Sequence, residues 1–435
     1  MASQQHTDSD ASPQLRTFER LMGDTELSYY LPSRADGIND MLSYTAPASP
    51  AEVLQKAETL LKFQKNVSRD ELFDRFLNGK RVLGENRLSY LIVTESLSDA
   101  ERECAEYSLL ICSTHFSADG VSFQQLGNEF CTIVAGTEMG SMCTDADLEE
   151  VGGHALPRTM GMKRKEIVQT ITFDEFTSRT ILQRCKSQGV SFSDALFALC
   201  ALAWSRIQLQ RGVELRTDLP IMMYSAINLR PHLLPSDSSY WMTALGFFNI
   251  ILPSFLPHTS RAGEKTAWKA IRSTFWHRAR SAKAQSTRVA KHPLLPSRAR
   301  EMARQRSETA KAFAAEDDAK ELRLAVSPRL PAASSTILEK STAPSTALLG
   351  LSNLGNLDGI YIHKDYPSIQ LHTLTSASRV RPGGLLLFGY TFAGRLTLNL
   401  AYDLNGFKDG IIEAWWKDLL GGCDELLAGE PAARL

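Results

Sequence analysis

The sequence of 435 residues lacks several features that would assign it to a large class of proteins. No stretch approaches the ~20 consecutive apolar residues of a membrane span, and the strongest apolar runs, 195–204 and 384–388, are short. Neither sign of charge dominates, because 48 Lys and Arg are balanced by 49 Asp and Glu. A near-neutral chain has no overall attraction for nucleic acids or anionic membranes. We therefore expect a soluble protein that binds neither.

Cysteine pairs and a secretory leader are also missing. The seven cysteines are scattered and form no CxxC pair, which predicts free thiols in a reducing compartment. Residues 1–14 are polar and acidic, without the basic and apolar regions of a signal peptide, so we expect a disordered leader and a cytoplasmic protein. The final Ala433-Arg434-Leu435 resembles the peroxisomal address Ser-Lys-Leu, which keeps a peroxisomal location open as an alternative.

Most sequence signatures of common enzyme chemistry are absent as well. The chain has no GxSxG elbow, no GxxxxGK[ST] loop, no HExxH and no cysteine–histidine set with zinc spacing. No GxGxxG follows a strand. Hydride transfer, phosphoryl transfer and zinc hydrolysis are therefore disfavoured, and we expect no bound metal.

The length predicts two domains, because one domain usually takes ~100–200 residues. We expect an N-terminal lobe over 15–162 and a C-terminal lobe over 163–435, separated by the glycine-rich stretch 136–164. In the first lobe the apolar spacing predicts a helix-like segment from Leu15, a helix over 50–65, strands at 87–95 and 107–114, and a helix over 123–133. The strand at 107–114 is almost continuously apolar, which predicts burial on both faces.

In the second lobe we predict a strand at 166–173, a helix that ends at Gly189, and an apolar helix to Leu209 capped by Ser193. Further strands are expected at 220–227 and 247–252, a hairpin over 384–402 that turns at Ala393-Gly394, and a final helix over 409–427.

One stretch of the second lobe is strongly basic. Residues 261–311 hold 14 Lys or Arg against three Glu. We interpret 261–335 as a solvated, partly helical insertion followed by a mobile linker at 317–335. The functional alternative is a site for a phosphate-bearing ligand, because guanidinium groups hydrogen-bond phosphate in a fixed fork geometry.

The candidate for chemistry is the segment HFSADG, residues 115–120, at the end of the strand 107–114. Imidazole has an ordinary pKa near ~6.5, which suits His115 to remove a proton from a hydroxyl group at neutral pH. Asp119 is close enough to shape the loop, and Gly120 permits a tight turn into the following helix. On spacing alone, a structural reading of the segment is equally tenable.

HFSADG resembles the HxxxDG motif of the acyltransferase superfamily that includes chloramphenicol acetyltransferase, plant BAHD acyltransferases and nonribosomal-peptide condensation domains. Three further segments are similar in order and distance: Leu15 to Tyr30 resembles the opening segment of alcohol acetyltransferases, Asn228-Leu229-Arg230-Pro231 the NxRP segment, and Ser352-Asn353-Leu354-Gly355 the SNLG strand end. The resemblance runs from about residue 15 to about 420, and it is greatest to fungal alcohol and secondary-metabolite O-acetyltransferases.

The resemblance implies an α/β fold of two chloramphenicol-acetyltransferase-like lobes, each a mixed sheet flanked by helices, with the reaction in a tunnel between them. It implies that His115 acts as general base on an acceptor hydroxyl that attacks an acyl-CoA, and that Asp119 pairs with Arg230. Polar residues that are candidates for the oxyanion or the substrate are Asn228, Ser352, Asn353, Thr375 and Ser376, and the sequence does not choose among them. For each, a capping or turn role is the competing interpretation.

Two departures from the superfamily narrow this picture. The BAHD segment DFGWG is absent, and Thr114 stands where condensation domains usually carry a second His. We expect a monomeric O-acyltransferase, most simply an O-acetyltransferase of a small apolar metabolite, with acetyl-CoA as co-substrate and no permanently bound cofactor. The alternatives are a free-standing condensation-like enzyme that takes its acyl group from an acyl-carrier protein or forms an amide, and a non-catalytic ligand-binding relative.

Overall fold

A computed structural model describes most of the chain in two lobes that face each other across a cavity. The described residues are 17–22, 26, 41–45, 47–65, 67–80, 82–83, 87–95, 106–117, 119–135, 154–159, 162–212, 219–232, 243–255, 264–326, 347–408 and 410–429. The predicted leader 1–14 and the tripeptide 433–435 lie outside these residues.

The N-terminal lobe is built around a small sheet. Its elements are β1 (Thr17–Leu21), β2 (Met41–Thr45), α1 (Pro50–Leu60), β3 (Leu61–Lys65), α2 (Arg69–Asn78), β4 (Ser89–Glu95), β5 (Tyr107–Ser113) and α3 (Gly120–Ala135). The central sheet has the order β3-β4-β5, with β3 parallel and β5 antiparallel to β4. β1 and β2 form a separate antiparallel pair.

The C-terminal lobe carries a six-stranded mixed sheet in the order β6-β11-β10-β9-β7-β8. Its elements are β6 (Glu166–Thr172), α4 (Glu175–Ser187), α5 (Phe192–Gln210), β7 (Pro220–Asn228), β8 (Leu245–Pro253), α6 (Glu264–Ala290), α7 (Leu295–Val326), β9 (Gly350–Asn356), β10 (Leu385–Phe392), β11 (Arg395–Asp403) and α8 (Ile411–Gly422). α8 continues as a π-helical turn over Cys423–Ala428.

Helix α5 forms the centre of the C-terminal lobe. Its residues from Ala195 to Ser205 are all buried, because the helix is apolar on nearly every side rather than along one stripe. It packs with α6, α8 and one face of the sheet in a continuous core that includes Leu398 and Trp415.

The C-terminal sheet opens between two of its strands. β7 and β9 pair at Tyr224–Gly350 and Ser225–Leu351, and just before β9 Leu348 N donates to Met222 O at 2.8 Å; after Ser225–Leu351 the register of the two strands has no further pairs. Gly350 allows the Tyr224 ring to lie close to this contact, because a Cβ atom there would lie 2.5 Å from Cζ of the ring. The residues that follow on both strands, Asn228 and Asn353 among them, line the cavity between the lobes.

Several predictions for the N-terminal lobe were wrong in their boundaries. The expected helix-like segment from Leu15 contains strand β1 at Thr17–Leu21, where pairing with β2 satisfies the backbone. The helix expected over 50–65 ends at Leu60, because Leu61–Lys65 pairs with β4. β5 is not buried on both faces: it is an edge strand, and Tyr107 is 52% exposed.

Two predictions for the C-terminal lobe also need correction. The cap of α5 is Ser191 and not Ser193, since Ser191 Oγ accepts a hydrogen bond from Asp194 N and the Asp194 carboxylate accepts one from Ser191 N. α7 extends to Val326, so 317–326 is helical rather than a linker, and 327–335 lies outside the described residues.

The hairpin of β10 and β11 is confirmed, with its turn at Ala393 and Gly394. Both residues have positive φ, 49° and 70°, as a two-residue turn that matches strand twist requires. The mixed α/β architecture of two sheets flanked by helices is also confirmed. In the described part of the chain no single helix is long and apolar enough to cross a membrane. α4 and α5 satisfy the length and composition criterion only as a pair, which is bent by 94°.

Candidate active site

His115 lies in a tight turn directly after β5. Thr114 N donates to Leu88 O at 2.8 Å, which ends the pairing with the neighbouring chain segment. Ser117 then closes the turn, because its N–H and its hydroxyl both donate to Thr114 O, at 3.1 and 2.7 Å. His115 therefore stands at the end of a strand on a hydrogen-bonded turn, which fixes its backbone.

Asp119 locks this turn to the C-terminal lobe. Its side chain is buried, and Oδ1 accepts from Ser122 N at 2.9 Å, which caps α3. Oδ2 accepts from Ala244 N at 2.6 Å, just before β8 begins. Thr243 Oγ1 lies 3.2 Å from the carbonyl oxygen of His115 and 3.2 Å from that of Phe116, so it also holds the turn.

Arg230 completes the set of contacts that hold Asp119, the Asp119 lock, with a bidentate ion pair. Nη1 lies 2.9 Å from Asp119 Oδ2, and Nη2 lies 3.1 Å from Oδ1 and 2.8 Å from Ser122 Oγ. Asn228 supports Arg230, because its Oδ1 accepts from the backbone N at 3.1 Å and from Nη1 at 3.3 Å. The structure thus brings together Asp119 and Arg230, the pair that the resemblance implies. Asn228 helps to hold Arg230 in place.

The environment of His115 favours its neutral form. Burial is the main cause that lowers the pKa of the imidazole, and the positive charge of Arg306 lowers it further, whereas Asp119 acts in the opposite direction. Nδ1 is buried, and His115 is among the residues that line the cavity. The ring of Phe123 stands edge-on, with ring centroids 6.2 Å apart. A neutral imidazole is the form that a general base requires.

A cavity of about 1640 Å³ extends from His115 between the lobes. The N-terminal lobe contributes residues of α2, β5 and α3 to its wall, and the C-terminal lobe contributes residues of β7, β8, α7, β9 and the segment 370–386. The cavity is therefore a space that neither lobe encloses alone. This agrees with the expected tunnel between two lobes.

Gly120 and the segment 352–354 meet at the start of α3. A Cβ atom on Gly120 would lie 2.9 Å from Cδ2 of Leu354, so the absence of a side chain allows this close approach. Gly120 is the first residue of α3 and does not have a positive φ, and its close contact is with β9.

Ser352 and Asn353 point to opposite sides of the C-terminal sheet. Ser352 is paired with Phe388, which packs in a cluster with Tyr361, near α3. Asn353 is paired with Gly389, where a Cβ atom would lie 3.2 Å from Asn353 Oδ1 and 3.4 Å from a methyl of Leu196 in α5. Asn353 Oδ1 is thus on the core side, buried and without a hydrogen-bond partner among the described residues.

The other two candidates lie on the segment before β10. Ser376 Oγ accepts from Gln124 Nε2 at 3.3 Å, and Gln124 Oε1 accepts from the Tyr361 hydroxyl at 2.8 Å. Thr375 Oγ1 is buried and has no hydrogen-bond partner among the described residues. Both line the cavity, and Ser376 joins its segment to α3, the helix that follows His115.

Comparison with solved structures agrees with this geometry. The trichothecene 15-O-acetyltransferase from Fusarium sporotrichioides is similar, with a TM-score of 0.64 and 12% identity, over 92% of this chain and 84% of that protein. The chain therefore has the chloramphenicol acetyltransferase-like, condensation-domain fold. The predicted fold is thus confirmed.

Two multidomain synthases contain similar domains. The nonribosomal peptide synthetase FmoA3 matches with a TM-score of 0.50 and 12% identity, over 96% of this chain and 41% of that protein. The condensation domain of the monacolin K polyketide synthase MokA matches with a TM-score of 0.48 and 12% identity, over 84% of this chain and 80% of that one. No protein-family model matches the chain, and no curated protein matches it in sequence, so the expected kinship with a fungal branch has no support at the level of sequence.

The basic stretch 261–311 has a different place in this fold from the one expected. Its described residues, 264–311, form α6 and the first half of α7, and α6 belongs to the core through Phe275 and Trp276 rather than to an insertion. Of the basic residues described in this stretch, Arg306 is the one that lines the cavity. Other basic residues do so from elsewhere in the chain: Arg158, Lys163, Arg164, Arg379 and Arg381.

Several residues of the site were missed by sequence reasoning. Ser122, Thr243 and Ala244 hold Asp119 or the His115 turn through hydrogen bonds, a role that has no sequence signal. Arg306 lies within the basic stretch 261–311, where the sequence does not distinguish it from the other charges. Within the described residues no group of three or more His, Cys, Asp or Glu is arranged to hold a metal.

Proposed function

We propose that the protein is an acyl-CoA-dependent O-acyltransferase, most simply an O-acetyltransferase, with His115 as general base. The observation that carries this proposal is the position of His115. Burial lowers the pKa of its imidazole, and His115 lines a cavity between two lobes on a turn held by the Asp119–Arg230 ion pair. The likeness in fold to an O-acetyltransferase supports the same activity.

The proposed reaction uses one proton shuttle. Nε2 of His115 takes the proton of the acceptor hydroxyl while the hydroxyl oxygen attacks the thioester carbonyl carbon. A C–O bond forms and the carbonyl electron pair moves onto oxygen, which gives a tetrahedral oxyanion. When the carbonyl reforms, the C–S bond breaks, the sulfur leaves with the bond electrons, and His115 returns the proton to it. The products are an ester and a thiol.

Apolar and basic side chains both line the cavity, and the two kinds suit two different substrates. The apolar side chains near α2 and β5, Leu72, Phe73, Phe76, Leu83 and Leu109, suit a largely apolar acceptor. We propose that basic residues of the wall, rather than the exposed face of α6, meet the phosphates of coenzyme A. Candidate residues there are Arg158, Lys163, Arg379 and Arg381.

Replacement of His115 tests the proposal directly. His115→Ala should lower turnover by at least ~10²-fold, the low end of the contribution of a general base. His277→Ala is the matched control, because His277 is exposed on α6 and away from the motif. Turnover would be followed by mass spectrometry with acetyl-CoA and a panel of alcohols, terpenoids and polyketides. Wild-type turnover in His115→Ala would remove His115 from the mechanism.

A second candidate function is acyl transfer from a carrier protein, including amide formation on an amine acceptor. The specific observation in its favour is a basic stripe on the outer face of α6. Lys269 and Arg280 are exposed and eleven residues apart, so they align after three helical turns, and the exposed Lys291 follows directly after the end of α6. Such a stripe fits an acidic carrier surface. Turnover with an acyl-carrier protein and none with acetyl-CoA would establish this alternative. Arg280→Glu should then lower turnover with the carrier protein.

The third reading, a non-catalytic ligand-binding relative, makes a different prediction. Acetyl-CoA would then bind without turnover of any acceptor, and His115→Ala would leave binding unchanged. The complete lock around Asp119 argues against this reading, because a protein without catalysis has no need to fix an imidazole at the mouth of a cavity.

A further inference from the structure

One face of α7 forms a wall of the cavity. The residues of α7 that line it are Met302, Arg306, Thr309, Ala310 and Phe313, which follow the spacing of a single helix face. Of these five, Arg306 alone carries a charge. The opposite face of the helix is exposed and holds Arg304, which pairs with Glu301 and Glu308.

Arg306 is held by stacking on an aromatic ring. Its Cζ lies 4.0 Å from the ring centroid of Phe247, a residue of β8. β8 starts directly after Ala244, whose N–H binds Asp119. Stacking uses the flat face of a guanidinium and directs its N–H groups along the plane of the group. Arg306 is therefore placed by the same strand that anchors the HxxxDG turn.

The charge of Arg306 acts at the position of the base. It lowers the pKa of His115, in opposition to Asp119. Asp119 is buried and paired with Arg230, and Arg306 lines the same cavity as the imidazole. α7 therefore brings a positive charge into the cavity that His115 lines.

We propose that Arg306 is a further catalytic residue, which stabilises the oxyanion formed on the thioester carbonyl oxygen when the acceptor attacks. This inference rests on the proposed acyltransferase function. The oxyanion carries a full negative charge that is absent from both substrates at that atom, so a fixed guanidinium beside it stabilises the transition state more than the ground state.

Arg306 adds a charged donor to the polar candidates that the sequence offers. Asn228 Oδ1 accepts from Arg230, and Ser376 Oγ accepts from Gln124 Nε2. These side chains are uncharged, whereas a guanidinium stabilises an anion by its charge as well as by hydrogen bonds.

Kinetics of three variants would test the assignment. Arg306→Met removes the charge and keeps most of the apolar length; it should lower kcat by ~10²–10³-fold, as loss of an oxyanion donor does, with KM nearly unchanged. Arg306→Lys should restore part of kcat because it keeps the charge. Arg304→Met, on the exposed face two residues away, is the matched control and should keep wild-type kcat.

A second measurement does not depend on turnover. The imidazole pKa of His115, followed by NMR of histidine-labelled protein, should rise in Arg306→Met and stay unchanged in Arg304→Met, because removal of a nearby positive charge favours imidazolium. An unchanged His115 pKa would overturn the assignment. So would a loss confined to KM, which would make Arg306 a binding group for an anionic substrate. If Arg306→Met does not fold, Arg306→Gln takes its place in both measurements.

The two proposals fail in different ways. Full activity in His115→Ala contradicts the proposed acyltransferase mechanism itself. Loss of activity in His115→Ala together with wild-type kcat in Arg306→Met contradicts only the role of Arg306.

Discussion

The two lobes differ greatly in how well they are packed. The C-terminal lobe surrounds α5 with a sheet and two further helices in one continuous core. The N-terminal lobe has a small buried cluster of Leu72, Tyr90, Ile92 and Cys112, and its edge strand β3 leaves Leu61 and Phe63 more than half exposed, at 51% and 56%. The catalytic candidate His115 nevertheless belongs to the N-terminal lobe.

This difference explains the arrangement around Asp119. A base on a weakly packed lobe needs support from outside that lobe if its imidazole is to keep one orientation. The C-terminal lobe gives this support through Arg230, Thr243 and the N–H of Ala244. The well-packed lobe thus supplies the rigidity, and the other lobe supplies the reactive group.

Removal of Arg230 should have the largest effect on the support that the C-terminal lobe gives to the His115 turn. Arg230→Met leaves the buried Asp119 carboxylate without its ion pair, which typically costs about 3–5 kcal/mol of stability. We also expect turnover to fall, because the His115 turn loses its anchor. Urea unfolding and steady-state kinetics would measure both effects. The double variant Arg230→Met with Asp119→Asn should recover stability; if it does not, the ion pair is not what joins the lobes.

Equivalent truncations in the two cores should differ in cost. Leu398→Ala leaves a cavity in the dense C-terminal core, where neighbours on all sides prevent collapse, so we expect about 4 kcal/mol. Ile92→Ala in the small N-terminal cluster should cost about 2 kcal/mol, since few neighbours surround the space and they can move into it. Chemical denaturation of both variants would test this, and equal costs would contradict the comparison.

The junction of the lobes should respond to pH through Glu166. This carboxyl is buried, and burial raises its pKa from 4.5 to about 8 despite Arg164 and Arg379 nearby. Its Oε2 accepts from Arg164 Nη1 at 2.6 Å and from Val380 N at 3.0 Å, while Arg164 also donates to Leu77 O at the end of α2.

The sign of this effect follows from proton uptake. Between pH 4.5 and about 8 the folded protein retains a proton on Glu166 that the unfolded chain has lost, so this group lowers stability as the pH rises through that window. Unfolding free energies of wild type and Glu166→Gln from pH 5 to 9 should therefore differ in slope. Glu175→Gln, an exposed control, should keep the wild-type slope. Parallel curves for wild type and Glu166→Gln would show that Glu166 keeps an ordinary pKa.

Long apolar patterns and the HxxxDG segment made much of the fold and part of the site predictable. The hairpin at Ala393-Gly394 could be predicted because its turn needs residues that accept positive φ. The end of α1 at Leu60 could not, because Leu61–Lys65 continues the same apolar spacing and becomes a strand only through pairing with β4. Arg306 could not be predicted, because in sequence it resembles the other basic residues around it. Only the packing of α7 determines which of these residues lines the cavity.

The lock on Asp119 has a consequence for any attempt to transplant this chemistry. The six residues HFSADG do not contain the information that orients the imidazole, because the groups that hold them are Arg230 and Ala244, more than a hundred residues away in the chain. A graft of the motif into another scaffold would have to carry a guanidinium and a backbone N–H at matching positions. The portable unit of this active site is therefore a three-segment constellation and not a sequence motif.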